Sequence, residues 1–377
     1  KITKQILESQ MKAYQVIENG KPLEERILEN PEPKGREVVL KTVACGVCHS
    51  DVHVISGQAN QIMPCVLGHE GAGLVTSIGK EVNNVSVGDH VVLSWLPYCG
   101  KCYQCVRGKT HLCKAYQTPV GNGTLLDGSC RFSNSEGPVR QLGSLGCWSE
   151  NVVVPEVCCV PVDKSIPFEI AALLGCAVTT GVGAVLNRAK VQNGETVVVI
   201  GAGGVGLSVV MAAKLKGASQ VICIDQNIRA RNLAIELGAT DFLVSKQNED
   251  ISKKLMELTG VGADHVFEAV GKRELQSDAI EYCCSGGTVT FVGLDSEDAT
   301  INLKTTAITR AEKTISGSIY GSACTHRDFA LYGEKFLEGK LPIDLMVNRR
   351  YQLREINIAL SDMLEGKPGR GVIVFDH

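Results

Sequence analysis

Thr196-Val197-Val198-Val199-Ile200-Gly201-Ala202-Gly203-Gly204-Val205-Gly206-Leu207 is the stretch that decides the architecture of this chain. Its first five residues, mostly β-branched, read as a buried strand, and Leu207 to Lys216 reads as a helix. Between them stands G-x-G-x-x-G, which permits a tight turn and a close approach of backbone to a pyrophosphate. The helix start adds unpaired N–H groups and a positive dipole end, so Gly201, Gly203, Gly204, Val205 and Gly206 are candidate cofactor contacts. Asp225 closes the next apolar run, about 20 residues further on, where a carboxylate accepts hydrogen bonds from an adenosine ribose. That carboxylate would repel a 2′-phosphate and Gln226 brings no cation, so NAD is expected rather than NADP; Arg229 and Arg231 pull the other way. The bland alternative is that the glycines only permit close helix–strand packing and that Asp225 is a turn residue.

Outward from this motif, apolar runs at Val221 to Asp225, His265 to Ala269, Thr288 to Val292 and Ile315 to Ile319 alternate with amphipathic stretches. Such alternation predicts βαβ units and a parallel sheet, an α/β fold. Val270 and Val292, at the ends of two of these runs, join the expected cofactor contacts. Upstream, Met11 to Val162 breaks into short runs such as Val38-Val39-Leu40, Gly73-Leu74-Val75 and His90 to Leu93, punctuated by Gly, Pro and Asn, which predicts a mostly β segment. A helical passage covers Glu169 to Arg188; the tail holds a helix at Phe329 to Leu337 and a strand at Gly371 to Phe375. At 377 residues the chain suits two domains.

A net charge of -3, with no basic run longer than Arg349-Arg350, gives no reason to expect nucleic acid or an anionic membrane as partner. Sixteen cysteines in a chain able to bury a core do not suggest a secreted disulfide framework, so a reducing cytoplasm is expected. The apolar runs are shorter than the roughly 20 residues of a spanning helix. Lys1 to Gln10 lacks an apolar signal core, and Met11 is expected near the native start.

Two cysteine patterns suggest metal. Cys99, Cys102, Cys105 and Cys113 follow C-x2-C-x2-C-x7-C, and four thiolates so close can close a tetrahedral shell around a structural zinc. A free-thiol cluster, a disulfide pair or an iron–sulfur centre fit the same spacing. A nucleic-acid-binding zinc ribbon fits less well, because the loop lacks a basic face. Cys48, His69 and Cys176 are dispersed; they could form the three-ligand catalytic type of zinc site, or pack as small hydrophobes and a core histidine.

At these residues the chain resembles the zinc-containing alcohol dehydrogenases of the medium-chain dehydrogenase/reductase family, including their glutathione-dependent formaldehyde dehydrogenase class. The blocks Cys48-His49-Ser50-Asp51, Gly68-His69-Glu70-Gly71-Ala72-Gly73, the four-cysteine loop, Leu174-Gly175-Cys176 through Thr180-Gly181, and the glycine turn occur in family order. The resemblance implies two zincs per chain, with Cys48, His69 and Cys176 as catalytic ligands. It implies a GroES-like domain from residues 1–177 and 322–377, with a doubly wound Rossmann domain, residues 178–321, inserted. Asp51 would orient His69 and Glu70 would sit behind the metal. A proton relay would run from Ser50 through the cofactor ribose to His53. His49 and Arg370 would face the cofactor phosphates and Thr180 the nicotinamide. The substrate would be a small alcohol or aldehyde, and the assembly a homodimer or homotetramer pairing near Lys304 to Ile319.

The insert Gly123 to Phe132 is similar to a loop of the dimeric animal and formaldehyde-oxidising classes, yet Gln117 stands where the glutathione-linked class carries an arginine. Trp148 and Leu294 are expected either to narrow the substrate pocket or to serve the core. A polyol dehydrogenase would carry a carboxylate in place of Cys176, a zinc-free reductase would lose a ligand, and a purely zinc-structural binding module would need no cofactor fold.

Overall fold

A computed structural model describes residues 9–246 and 250–376. The expectation for Lys1 to Gln10 therefore falls largely outside the described residues, while Met11 is a core residue, 2% exposed, in the strand Gln10–Val16.

The glycine motif sits at the centre of a six-stranded sheet in which every neighbouring pair is parallel. In spatial order its strands are Asp241–Val244, Gln220–Asp225, Thr196–Ile200, Ala263–Glu268, Cys283–Phe291 and Thr314–Gly317. The order reverses between Thr196–Ile200 and Ala263–Glu268, and the carboxyl ends of strands at such a reversal are the usual ligand position in open α/β sheets. Four strands match expected apolar runs in position beside Thr196–Ile200. Asp241–Val244 was not anticipated; it is a four-residue edge strand with every side chain half-buried, too short to show a period.

A second sheet of seven strands is built from distant segments. Its long strand Glu37–Gly46 pairs antiparallel with Glu70–Ile78, with Asn151–Pro155 and with Arg370–Val374. The end of the chain is thereby woven beside Cys45 and Gly46, at the entrance to the Cys48 loop. A five-stranded sheet, including Gln10–Val16 and Cys65–Val66, covers the other side of this region.

One helical rod, Phe168–Ala189, joins the two regions. It is α over Phe168–Leu173 and Thr179–Gly183 and widens into π turns at Leu174–Val178 and Ala184–Ala189. The short apolar runs gave no warning of a segment of spanning length, yet these 22 residues reach a mean hydropathy of 1.8 over their most apolar window. Of that window 89% is buried inside the protein, so the rod is a core helix. Gly181 makes its packing possible: a Cβ there would lie 2.4 Å from the Val205 carbonyl oxygen and 2.5 Å from Ser208. The rod thus lies directly on the helix Gly204–Leu215 that begins in the glycine turn.

Candidate active site

Cys48 caps the N-terminus of the helix His49–Ile55, His69 lies just before the strand Glu70–Ile78, and Cys176 lies in the first π turn of the rod. Their donor atoms and a Glu70 carboxylate oxygen all fall within 4.8 Å of one another. π turns recur at functional sites because the wider turn redirects a side chain, and here one aims Cys176 at the other ligands. Asp51, fully buried, accepts from Gly68 N at 3.0 Å and meets His69 Nδ1 at 3.2 Å. A proton held on Nδ1 leaves Nε2 as a lone-pair donor, the form a metal requires. Of the two thiols, Cys48 ionises first: the hydrogen bond shared with Cys176 pushes it well below the usual thiol range against the effect of burial, and pushes Cys176 up. Two thiols, one imidazole of fixed tautomer and a carboxylate behind them fit zinc.

Behind the ligands, Glu70 is buried without exposure and burial raises its carboxyl to about 7 despite the adjacent Arg370. Arg370 Nη2 donates to Glu70 Oε2 at 2.5 Å and to the Val47 carbonyl at 2.9 Å. The same guanidinium lies against Gly204, where a Cβ would meet Nη1 at 2.4 Å. One buried cation therefore touches both the metal cluster's carboxylate and the start of the nucleotide helix.

In the glycine turn, Gly201 has φ +101°, and a Cβ on Gly206 would lie 1.7 Å from the Gly201 carbonyl oxygen. Asp225 stabilises the turn through Oδ2, which accepts from Ala202 N at 2.7 Å, while Oδ1 accepts from Asn227 N at 2.7 Å. Arg229 is committed elsewhere: Nη2 donates to the Glu365 and Gly366 carbonyls at 2.7 and 3.3 Å. Val270, 42% exposed, packs against Gly201, and Val292 N donates to the Glu268 carbonyl at 2.8 Å. His49 and Ser50 are exposed, while His53 and Thr180 are half-buried. Ser50 Oγ lies 3.7 Å from Cys48 Sγ.

Two features escaped the sequence reading. Glu268, fully buried, accepts from Val270 N and Gly271 N, both at 2.8 Å, and holds the turn that follows its strand; a carboxylate ending a βαβ strand was its only signal. Trp95 sets its ring edge-on to His69 at 6.4 Å. Trp148, by contrast, is a core residue with no exposure, packed over Gly68, and Leu294 is 67% exposed. Of the two tryptophans, Trp95 is thus the one beside the metal ligands.

The four-cysteine loop also closes. Cys102 Sγ is 3.5 Å from Cys105 Sγ and 3.9 Å from Cys113 Sγ, and Cys99 N donates to Cys113 Sγ at 3.4 Å. Backbone N–H groups, that of Cys105 first, push the Cys102 thiol down to about 6, as an anionic ligand needs. All sixteen cysteines are free of disulfides.

Comparison with known proteins agrees with this geometry. Residues 34–164 match the alcohol dehydrogenase GroES-like domain, and residues 204–337 match the zinc-binding dehydrogenase family. The chain is 37% identical over 363 residues to S-(hydroxymethyl)glutathione dehydrogenase of Saccharomyces cerevisiae, covering 94% of each chain. It is 37% identical over 359 residues to an NDMA-dependent alcohol dehydrogenase of Amycolatopsis methanolica, covering 94% of this chain and 96% of that one. Among solved structures, benzyl alcohol dehydrogenase from Acinetobacter calcoaceticus superposes with a TM-score of 0.90 at 32% identity, covering 97% of this chain and 99% of the other. The chain belongs to the zinc-containing alcohol dehydrogenases of the medium-chain dehydrogenase/reductase family, NAD-dependent oxidoreductases with a four-cysteine zinc site and a second, catalytic one.

Proposed function

We propose that this protein interconverts a small primary alcohol and its aldehyde at the Cys48, His69 and Cys176 cluster. The observation that carries the reading is the convergence of these donors within 4.8 Å beside a glycine turn reached through Arg370. When bound, zinc supplies Lewis-acid polarisation of the alcohol oxygen and NAD accepts the hydride. Asp51 holds His69 in the ligating tautomer. Ser50 Oγ receives the alcohol proton, since a hydroxyl can accept and donate. His53, three residues on along the same helix face, passes it toward solvent. Arg370, by neutralising Glu70, keeps that carboxylate from adding a full negative charge behind two thiolates.

The glycine turn, Asp225, Val270 and Val292 form the cofactor wall, with His49, Thr180 and Arg370 at the phosphate and nicotinamide sides. Residues 1–177 and 322–377 form the catalytic domain and 178–321 the nucleotide domain. Sixteen free thiols suit a reducing cytoplasm. Two copies pair through the sheet edge Thr314–Gly317, which is flanked by Leu303 and Ile319, 45% and 37% exposed. Light scattering reporting a monomer would remove that pairing.

A second reading, oxidation of S-(hydroxymethyl)glutathione, is favoured by relatives of that name such as the 36% identical protein of Synechocystis. Exposed Gln117 offers no charge to a glutathione carboxylate, which weakens it. The test is NADH formation over a panel of primary, secondary and aromatic alcohols, and over formaldehyde with and without glutathione. Turnover of primary alcohols independent of glutathione supports the first reading. Turnover only with formaldehyde plus glutathione replaces it with the second, and turnover confined to secondary alcohols ends the primary-alcohol assignment.

A further inference from the structure

Tyr320 is the largest buried polar side chain near the metal cluster to which the mechanism gives no part, and its backbone is unusual. Tyr320, Gly321 and Ser322 take φ of 51°, 64° and 50°, three consecutive residues in the left-handed region. That region disfavours Tyr and Ser, so such a turn persists only where its surroundings hold it, and it clusters at functional sites. Here the surroundings do hold it. A Cβ on Gly321 would lie 2.1 Å from the Thr179 carbonyl oxygen and 2.8 Å from Gly183 Cα, so the turn is pressed onto the rod. Asn187 Nδ2 donates to the Gly321 carbonyl at 3.2 Å and to Asp328 Oδ2 at 3.1 Å, and Cys324 N donates to the same Asp328 oxygen at 2.9 Å.

The side chain carried by this turn is 1% exposed. Its hydroxyl donates to the Gly175 carbonyl at 2.5 Å, the peptide that leads into Cys176. Its ring lies 4.8 Å from that of Trp95, which in turn meets His69. One phenol thus abuts the supports of two ligands. On the other side, two residues back, Ser318 N donates to the Phe291 carbonyl at 2.9 Å, next to Val292 in the cofactor wall. The turn also crowds the Thr180 carbonyl, 3.0 Å from a Gly321 Cβ. A group braced against both the cofactor wall and the ligand peptides must transmit a displacement of one to the other, because packed interiors yield little.

We propose that Tyr320 is a positioning residue whose hydroxyl couples occupancy of the nucleotide cleft to the geometry of the Cys176 ligand. The proposal rests on the function proposed above, and by linkage the coupling is reciprocal. Cobalt placed at the catalytic site gives a visible spectrum that reports ligand geometry. In the wild type, NADH should shift these bands. Tyr320→Phe keeps the ring against Trp95 and removes only the hydroxyl; it should retain two metals per chain and its fold by circular dichroism, yet lose most of the NADH-induced shift. Its kcat should drop about 10-fold, with the KM for alcohol changing less. Asn187→Ala, which frees the Gly321 carbonyl without touching the phenol, should lose part of the shift and serves if Tyr320→Phe does not fold. An undiminished shift in a folded variant, or no shift in the wild type, overturns the coupling. A wild type that binds no metal at Cys48 or no NADH overturns the proposed function and the coupling together.

Discussion

The two metal centres differ in what holds them. Around Cys99 to Cys113 there is almost no regular structure beyond two single turns, Cys105–Arg107 and Thr110–Leu112, and Tyr103 and Val106 are each 69% exposed. The loop has hardly any core, so the metal is its core and its ligands must be close in sequence. Cys48, His69 and Cys176 sit on three elements that two large apolar clusters and the Asp51 and Arg370 contacts already fix. In the first centre zinc makes the local fold; in the second the fold makes the zinc site. Ligand spacing is consequently a strong signal in one and silent in the other.

The comparison breaks most visibly at Cys48. Cys48→Ser should lower turnover about 10³-fold or more, because several kcal/mol of polarisation disappear, while metal content falls from two to one and the melting temperature stays near the wild type. A cooperative loss of stability in that variant would erase the distinction. Cys102→Ser should do the reverse: metal again falls to one, but the cost appears as roughly 4 kcal/mol of stability, read by denaturant unfolding, with turnover of the folded fraction largely kept. A smaller effect is expected of Asp51→Asn, which weakens the support of His69 and should cost about 10–100-fold in activity or zinc affinity; wild-type competition against a chelator would show that the carboxylate does not tune the metal. The smallest expected effect is that of Arg229→Ala. Its guanidinium is bound to the Glu365 and Gly366 carbonyls, so the NAD to NADP ratio should move less than about 3-fold, whereas Asp225→Ala should relax the preference clearly. A large change with Arg229→Ala would show that the side chain leaves those carbonyls to meet a phosphate.

What could be read in advance follows the same division. The glycine turn was legible because local backbone geometry demands glycine there, as Gly206 against the Gly201 carbonyl shows. The parallel strands were legible as apolar runs, with Asp241–Val244 too short and too open to register. The dispersed ligands became readable only through resemblance, since no local period links residues brought together by Glu37–Gly46 pairing with Glu70–Ile78 and by the rod that carries Cys176. Trp95 and Trp148 show the limit best. Nothing in their immediate neighbours tells which ring faces the metal and which fills the core; that depends on Gly68 making room for Trp148 and on Tyr320 packing at a tilt against Trp95.

The rod Phe168–Ala189 has a consequence for how this chain can tolerate insertions and deletions. Cys176, Thr180 and Gly181 stand on one continuous screw, so removing or adding a single residue between them would turn the thiol by about 100° relative to the nucleotide-facing side. The π turn at Leu174–Val178 already carries the wider winding that sets the present phase. Length can drift at Asp127 and Gly128, the exposed tip of a loop anchored by buried Leu125 and Phe132 and tied back by Arg131 to Glu37. Along the rod, residue count is itself a functional coordinate.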